Sequence, residues 1–362
     1  MKKIPILCIV ALMATTSISQ IKSATHYPLV ELKGTQLIKF KSGINNQNYE
    51  VYIELPASYK DSMNKRYPVL YVLDGQWFFQ SIIRTREDMH YEGYLPEMIV
   101  VGIGWPDNYQ ANRVRDFFPA NTQDSTMGPG APKFLNVLKS EIMDFVDSAY
   151  RSDKKNNVLQ GQSAGGAFAL YALFHDPTLF NKYIVSCPSL EYADGIFFNY
   201  EKAFSAEHQE LNAKLFITSS EYEEEMTTAS LYEKFIKQLK ASKYKGLELE
   251  TLVVEKMGHA TQYAYAVCRG LQFVFRRPDI ILDSLLLNQY VGNYEFGISI
   301  LRSGNSIYAI VPNGKIRLHA ETKDRFYVNG APGVTVFKRD INGKVTSFNA
   351  TGDVNWTAKK LD

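Results

Sequence analysis

Between residues 29 and 277, short apolar runs alternate with longer stretches of helical period. Residues 48–55 (NYEVYIEL) alternate apolar and polar side chains, the pattern of a half-buried antiparallel strand. Residues 69–73, 98–103, 157–159, 183–185, 215–218 and 249–254 form short apolar runs. Several of these are apolar on both faces, as central parallel strands are when helices cover both sides of a sheet. Between them, Phe134, Leu135, Leu138, Ile142, Phe145 and Val146 recur at three- and four-residue steps and share one helical face. Residues 164–174, 229–239 and 264–275 also read as helices. Strand alternating with helix predicts an α/β domain with a mostly parallel central sheet flanked by helices.

Near Pro278 the pattern changes. A short helical segment is expected at 279–287, and beyond it the chain reads as short strands and turns with no helical period. The pairs Asn313-Gly314, Asn329-Gly330 and Asn342-Gly343 sit between strand-like runs. That dipeptide suits a type I′ hairpin, whose two central residues both need positive φ. A small all-β, barrel-like domain is therefore expected at 286–362.

The N-terminus reads as an export signal. Lys2 and Lys3 precede an apolar run at 4–13 that is too short to cross a bilayer, and small polar residues follow. Ser17 and Ser19 could occupy the −3 and −1 positions before Gln20, so residues 1–19 are assigned to the signal; Ala24 is a second possible cleavage point. Cys8 lies inside the apolar run, which does not fit a lipoprotein. These features predict a periplasmic or secreted protein with no membrane span once the signal is removed. The mature chain keeps Cys187 and Cys268, too few for a disulfide framework. A net charge of +2 in 362 residues implies no nucleic-acid partner, and no metal-ligand motif or cofactor fingerprint is present.

The sharpest chemical signal is Gly161-Gln162-Ser163-Ala164-Gly165-Gly166. It follows an apolar run and opens a helix, the strand–turn–helix setting of a nucleophile elbow. Ser163 is the candidate nucleophile, and a serine hydroxyl needs an adjacent base. Of the 6 histidines, His259 fits best, because it follows the 249–254 strand at the sheet edge where this architecture puts its chemistry. His175 ends the helix that Ser163 begins, His208 precedes the strand expected to carry the acid, and His319 falls in the β domain. The acid should follow the 215–218 strand, where Glu221, Glu223, Glu224 and Glu225 compete. Glu223 is favoured, Glu221 is the alternative, and a Ser163–His259 dyad is a third possibility. The oxyanion hole needs two backbone N–H donors: Ala164 after the nucleophile, and Gly75 or Gln76 after the 69–73 strand.

These residues resemble the family named Putative esterase, α/β hydrolases related to esterase D and to the trilactone esterases that open enterobactin-type siderophores. Feruloyl and acetyl-xylan esterases and mycolyl transferases resemble it more distantly. The matching segments are 66–75 (RYPVLYVLDG), 113–119 (RVRDFFP), Gly130-Ala131, Tyr150-Arg151, the elbow with 168–171, and Phe180 with 186–190 (SCPSL). With the histidine loop 257–260, the resemblance extends to about residue 275. It implies an α/β-hydrolase fold over 25–280, Ser163 and His259 as catalytic residues, and an acid in the Glu221–Glu223 loop. The family's usual glycine before the acid is Ser220 here. Tyr290 to Tyr294, Tyr308, Phe326-Tyr327 and Phe337 resemble the lipocalin-like β module appended to many bacterial periplasmic hydrolases.

Residues and resemblance together predict a serine carboxylic-ester hydrolase that forms an acyl-serine, needs no cofactor, and acts on a small-molecule or glycan-linked ester such as a siderophore or a feruloyl or acetyl glycan. One alternative is a serine peptidase or acyltransferase on the same fold. A non-catalytic glycan- or lipid-binding protein is the alternative of another class. Arg113, Arg115 and Trp77-Phe78-Phe79 read as a structural ion pair and a core cluster, or else as contacts to an anionic or aromatic acyl group.

Overall fold

A computed structural model of the chain describes residues 31–120, 128–225, 230–352 and 355–361. The expected export signal, with Cys8, Ser17, Ser19 and Ala24, lies outside these residues. The larger sheet has eight strands in the order β1-β2-β4-β3-β5-β6-β7-β8. They are β1 (Thr35–Lys41), β2 (Asn48–Glu54), β3 (Tyr67–Leu73), β4 (Ile99–Gly104), β5 (Ser152–Gln162), β6 (Lys182–Ser186), β7 (Glu210–Ser220) and β8 (Lys245–Val254). Pairs from β4-β3 through β7-β8 are parallel, whereas β1-β2 and β2-β4 are antiparallel.

The helices are α1 (Gly75–Tyr91), α2 (Tyr109–Phe117), α3 (Ala131–Val137), α4 (Asp144–Ala149), α5 (Ala164–His175), α6 (Tyr192–Glu207), α7 (Glu221–Glu225), α8 (Leu231–Ala241), α9 (Tyr263–Val274) and α10 (Ser284–Asn288). A π-helical turn, Leu138–Met143, joins α3 to α4. One face of the sheet packs with Phe117, Phe134, Phe168 and Leu173; the other packs with Phe79, Ile82, Val267 and Leu271. β3 and β4 are buried along almost their whole length, as strands covered on both faces must be.

Each apolar run expected as a strand coincides with one; 48–55 and 98–103 are offset by one residue at one end or both, and the other strands extend beyond their runs. Helix α8 starts later than its apolar period suggested. Its boundary is set by Ser230, whose side chain accepts the N–H of Glu233 at 2.9 Å, with Glu233 three residues on as in a capping box. Helix α1 was not expected. Its buried face carries Arg86 among Phe79, Ile82 and Met89, and that guanidinium pairs with Glu54, so the charge breaks the apolar period.

The C-terminal region is a second eight-stranded sheet, a fully antiparallel meander. Its strands are β9 (Gly292–Tyr294), β10 (Ile298–Ser303), β11 (Ser306–Val311), β12 (Gly314–Ala320), β13 (Arg325–Tyr327), β14 (Thr335–Arg339), β15 (Val345–Ala350) and β16 (Trp356–Lys359). Tyr294 bridges Lys360, and the N–H of Leu361 donates to the carbonyl of Asn293 at 2.8 Å, so the last strand returns to the first. Tyr290, Tyr294, Phe326, Phe337 and Phe348 fill the interior.

Two local expectations are corrected. The helix expected at 279–287 is confined to Ser284–Asn288, capped by Asp283. Upstream of it, the N–H of Ile280 donates to Ala320 of β12 at 2.9 Å, so that stretch follows the barrel wall instead. The three Asn-Gly pairs are not type I′ turns, because Asn313, Asn329 and Asn342 do not adopt positive φ. The β11–β12 pairing ends at Val311↔Gly314, which puts Pro312 and Asn313 in the turn and Gly314 in the strand. At the β14–β15 turn, Asp340 Oδ1 accepts the N–H groups of Asn342 and Lys344, both at 2.9 Å. A side-chain acceptor there does the work assigned to the dipeptide.

The barrel docks where α1 and α9 end. A Cβ on Gly93 would lie 2.2 Å from the Ala331 carbonyl oxygen, so only glycine fits there. Arg277 pairs with Glu321 at 3.2 Å. Tyr94, Glu250, Arg269, Arg276, Tyr327 and Asn329 line a polar cleft of about 420 Å³ between the two sheets. Helix α1 spans 17 residues from the sheet's C-terminal edge, so the docking site lies about 25 Å from that edge. A chain stopped after Arg277 should therefore stay soluble and turn over a small soluble ester within a few-fold of the full chain. Aggregation of the shortened chain, followed by size-exclusion chromatography, would show that the barrel covers apolar surface instead.

Candidate active site

The sheet's C-terminal edge gathers the candidate residues. Strand β5 ends at Gln162, α5 begins at Ala164, and Ser163 alone makes the turn at φ 57° and ψ −120°. Such a backbone is costly for a non-glycine residue, by about 1–3 kcal/mol, and persists only when its surroundings hold it. They do so here. The N–H of Ser163 donates to Ser186 of β6 at 3.0 Å, and its carbonyl accepts from Ala167 at 2.9 Å and Ser189 at 3.2 Å. A Cβ on Gly161 would lie 2.2 Å from the Gly165 carbonyl oxygen, and one on Gly166 would lie 3.2 Å from Pro188 Cα. Close backbone crossing therefore requires glycine at 161 and leaves little room for a larger residue at 166. Ser163 stays half-buried, its hydroxyl 3.4 Å from that of Ser189.

His259 follows β8, in a loop tied to the elbow. Gln162 Nε2 donates to the His259 carbonyl at 2.7 Å. Behind the loop, Thr218 donates to Gln262 at 3.1 Å and Tyr263 donates to Gln160 at 3.1 Å. Nδ1 of His259 lies 3.0 Å from Oε1 of Glu223 in α7. Against an ionised carboxylate the N–H belongs on Nδ1, which leaves Nε2 as the acceptor. The hydrogen bond to Glu223 holds His259 above the usual imidazole value, outweighing the lowering by burial, and the charges of Glu223 and Glu191 add to it. Burial pushes Glu223 up, but hydrogen bonds from His259, Cys187 and Ser220 prevail and hold it below the usual carboxylate range.

The neighbouring glutamates do other work. Glu221 accepts the backbone N–H of Lys256, and Tyr222 N–H donates to the Met257 carbonyl at 3.2 Å, so the start of α7 braces the histidine loop. Glu224 accepts from Ser219. Glu225 is exposed. Two other histidines weighed as bases are engaged elsewhere: His175 Nδ1 with the Tyr171 carbonyl at 2.9 Å, and His319 Nδ1 with Asp279 at 2.8 Å beside the barrel.

Ala164 opens α5, and Gly75 and Gln76 open α1 at the same edge. The first N–H groups of a helix have no acceptor within it. The Gln76 side chain turns inward, its Oε1 against Gly104. Two features here escape a reading by motif. Asp74, fully buried at φ 55°, makes a two-pronged ion pair with Arg113 at 2.9 and 2.8 Å. A Cβ on Gly165 would lie 3.3 Å from Asp74 Oδ2, so this pair underlies both helix starts. Arg113 and Arg115 thus face Asp74 and Asp116 within the protein, and Phe79 is in the core. Trp77 differs: it is 46% exposed and packs edge-on against Tyr109. The second feature is Cys187, buried beside Glu223 at φ 39°. Its sequence signals were its place in the matched 186–190 segment and its position just past a strand at the sheet's C-terminal edge.

A family model described as "Putative esterase" matches residues 42–241. The chain belongs to this family. Among curated relatives of this Putative esterase chain, "Ferri-bacillibactin esterase BesA" of Bacillus subtilis is 27% identical over 44% of the chain and 60% of BesA. "Siderophore triacetylfusarinine C esterase" of Aspergillus fumigatus is 28% identical over 43% of the chain and 56% of that protein. The chain thus matches less than two thirds of either relative's length. Among solved structures, an IroE-like serine hydrolase from Shewanella oneidensis superposes with a TM-score of 0.60 at 23% identity, over 71% of this chain and 85% of that one. The BES protein from Bacillus cereus gives 0.58 at 22% identity, over 70% and 98%. These likenesses establish the α/β-hydrolase fold.

The site's electrostatics set an expected pH profile. A base with a raised pKa is neutral only above that raised value, so kcat/KM should fall on the acid side above pH 6.5, the ordinary imidazole value. Glu223→Gln removes the cause. It should lower kcat by about 10²- to 10⁴-fold and move the acid limb to lower pH. Glu221→Gln keeps an acceptor for Lys256 N–H and should stay within a few-fold of wild type. A pH–rate profile of both variants checks this; an unmoved acid limb in Glu223→Gln would count against the pairing.

Proposed function

We propose that this chain is a serine carboxylic-ester hydrolase, with Ser163 as nucleophile, His259 as general base and Glu223 as the acid that orients it. The observation that carries the reading is the 3.0 Å contact between His259 Nδ1 and Glu223 Oε1, in a loop bonded to the residue beside Ser163. Glu223 keeps the Nδ1 proton in place, so Nε2 can take the Ser163 proton as Oγ attacks an ester carbonyl. The N–H of Ala164, with that of Gly75 or Gln76, stabilises the tetrahedral oxyanion. The intermediate collapses, His259 protonates the leaving alcohol, and an acyl-serine remains. Water, deprotonated by His259, then releases the acid and restores Ser163. No cofactor enters these steps.

The names of the relatives favour a siderophore-type ester as substrate. Trp77 and Tyr109 offer an exposed aromatic surface at the mouth of α1 for an acyl group of that kind. Export to the periplasm or beyond is part of this reading and rests on the charged and apolar N-terminal pattern.

Ser163→Ala should fold normally and lose several powers of ten in turnover of p-nitrophenyl esters and of a tricatecholate trilactone. It should also lose labelling by a fluorophosphonate. A variant that kept more than about a tenth of the activity would rule Ser163 out as nucleophile. Peptide anilides, assayed in parallel, should not be cleaved.

A further inference from the structure

The acid–base pair has a third neighbour able to bind metal. Cys187 follows β6, and its N–H donates to Thr218 at 2.9 Å, which fixes the residue between the ends of β6 and β7. It forms no disulfide and is 2% exposed. One donor atom from each of Cys187, Glu223 and His259 lies within 4.8 Å of the other two. A cleft of about 210 Å³, lined in part by Cys187, Thr218, Ser219, Glu223 and Tyr232, adjoins them and has room for a water ligand.

The donor set selects the ion. Thiolate, imidazole and carboxylate together suit zinc, whereas calcium and magnesium prefer oxygen alone. Metal–ligand distances of about 2.0–2.3 Å place tetrahedral ligands roughly 3.3–3.8 Å apart. Nδ1 and Oε1, 3.0 Å apart, would open slightly to admit the ion, while the Cys187 sulfur would close in from a separation of no more than 4.8 Å. Three protein ligands and a water would complete it.

We propose that Cys187, Glu223 and His259 form an inhibitory zinc site whose occupation switches the enzyme off. Glu223 faces Nδ1, so the metal takes the Nδ1 lone pair. The single N–H of the neutral ring then moves to Nε2. Cys187 binds as thiolate and gives one proton to water, while Glu223 remains a carboxylate. The ring now presents a donor to Ser163 and has no lone pair to accept its proton. The inhibitory half of this proposal rests on the serine-esterase reading; the binding half rests on the ligand set alone.

The test uses the full chain, freed of metal with a chelator. Zinc should abolish p-nitrophenyl ester hydrolysis, and EDTA should restore it. Cobalt(II) should give a thiolate-to-cobalt charge-transfer band. Cys187→Ser, which keeps a donor beside Glu223, should hydrolyse ester within a few-fold of wild type, lack the band, and need at least about 10- to 100-fold more zinc for inhibition. Cys187→Ala provides the same comparison if the serine variant folds poorly. Ser163→Ala should be inactive yet keep the band, so a wrong nucleophile assignment would leave the metal result standing. Absence of the band in the wild type, or equal zinc sensitivity in both cysteine variants and wild type, would overturn the proposal.

Discussion

Ser163 holds its strained turn where Gly161 lets the backbone of β5 pass against that of α5, and Gly166 lets α5 lie close to Pro188 and Ser186. Every other part of the site is referred to that turn. Gln162, one residue before the serine, carries the hydrogen bond that pins the histidine loop. Ser186 and Ser189, from β6 and the loop after it, close on Ser163 itself. The turn therefore fixes the serine and also sets where the ends of β6 and β8 must stand. The parallel pairing from β5 through β8 keeps those ends in register.

A second constraint lies underneath. Burying a carboxylate costs several kcal/mol unless it is paired and hydrogen-bonded. Asp74 is wholly buried, and burial pushes its pKa up while the Arg113 guanidinium draws it back. Removing one partner would leave a lone charge between the starts of α1 and α5. The pair is thus better understood as a device that holds two helix starts in one arrangement than as a source of net stability. On the proposed mechanism, both helix starts face the carbonyl oxygen of the ester.

The strands and most of the helices around the elbow could be read from periodicity, because residues such as Val69, Val101 and Phe168 are apolar for one reason, burial. The placement of Ser163 and His259 at the sheet's C-terminal edge was legible because each follows a strand-like run. Glu223 was only favoured among four glutamates, since which carboxylate meets His259 and which meets Lys256 is set by contacts between α7 and the histidine loop, not by local pattern. What stayed hidden depends on partners far away in the chain. Arg86 breaks the apolar face of α1 because it answers Glu54, 32 residues earlier. The Asn342-Gly343 pair misled because Asp340 supplies a turn acceptor that a dipeptide rule does not consider.

The return of β16 to β9 has a consequence for the molecule's behaviour in a crowd. A sheet with open margins offers unpaired N–H and C=O groups to any passing strand, and so seeds aggregation. The C-terminal meander largely removes its own margins through the Tyr294–Lys360 bridge and the Leu361 to Asn293 hydrogen bond. That leaves β1 and β8 as the margins of the larger sheet. β8 carries Lys245, Glu248 and Glu250 along its length. A strand approaching that side would have to strip water from charged groups before it could pair, so colloidal stability is built into the outermost strand as well as into the barrel.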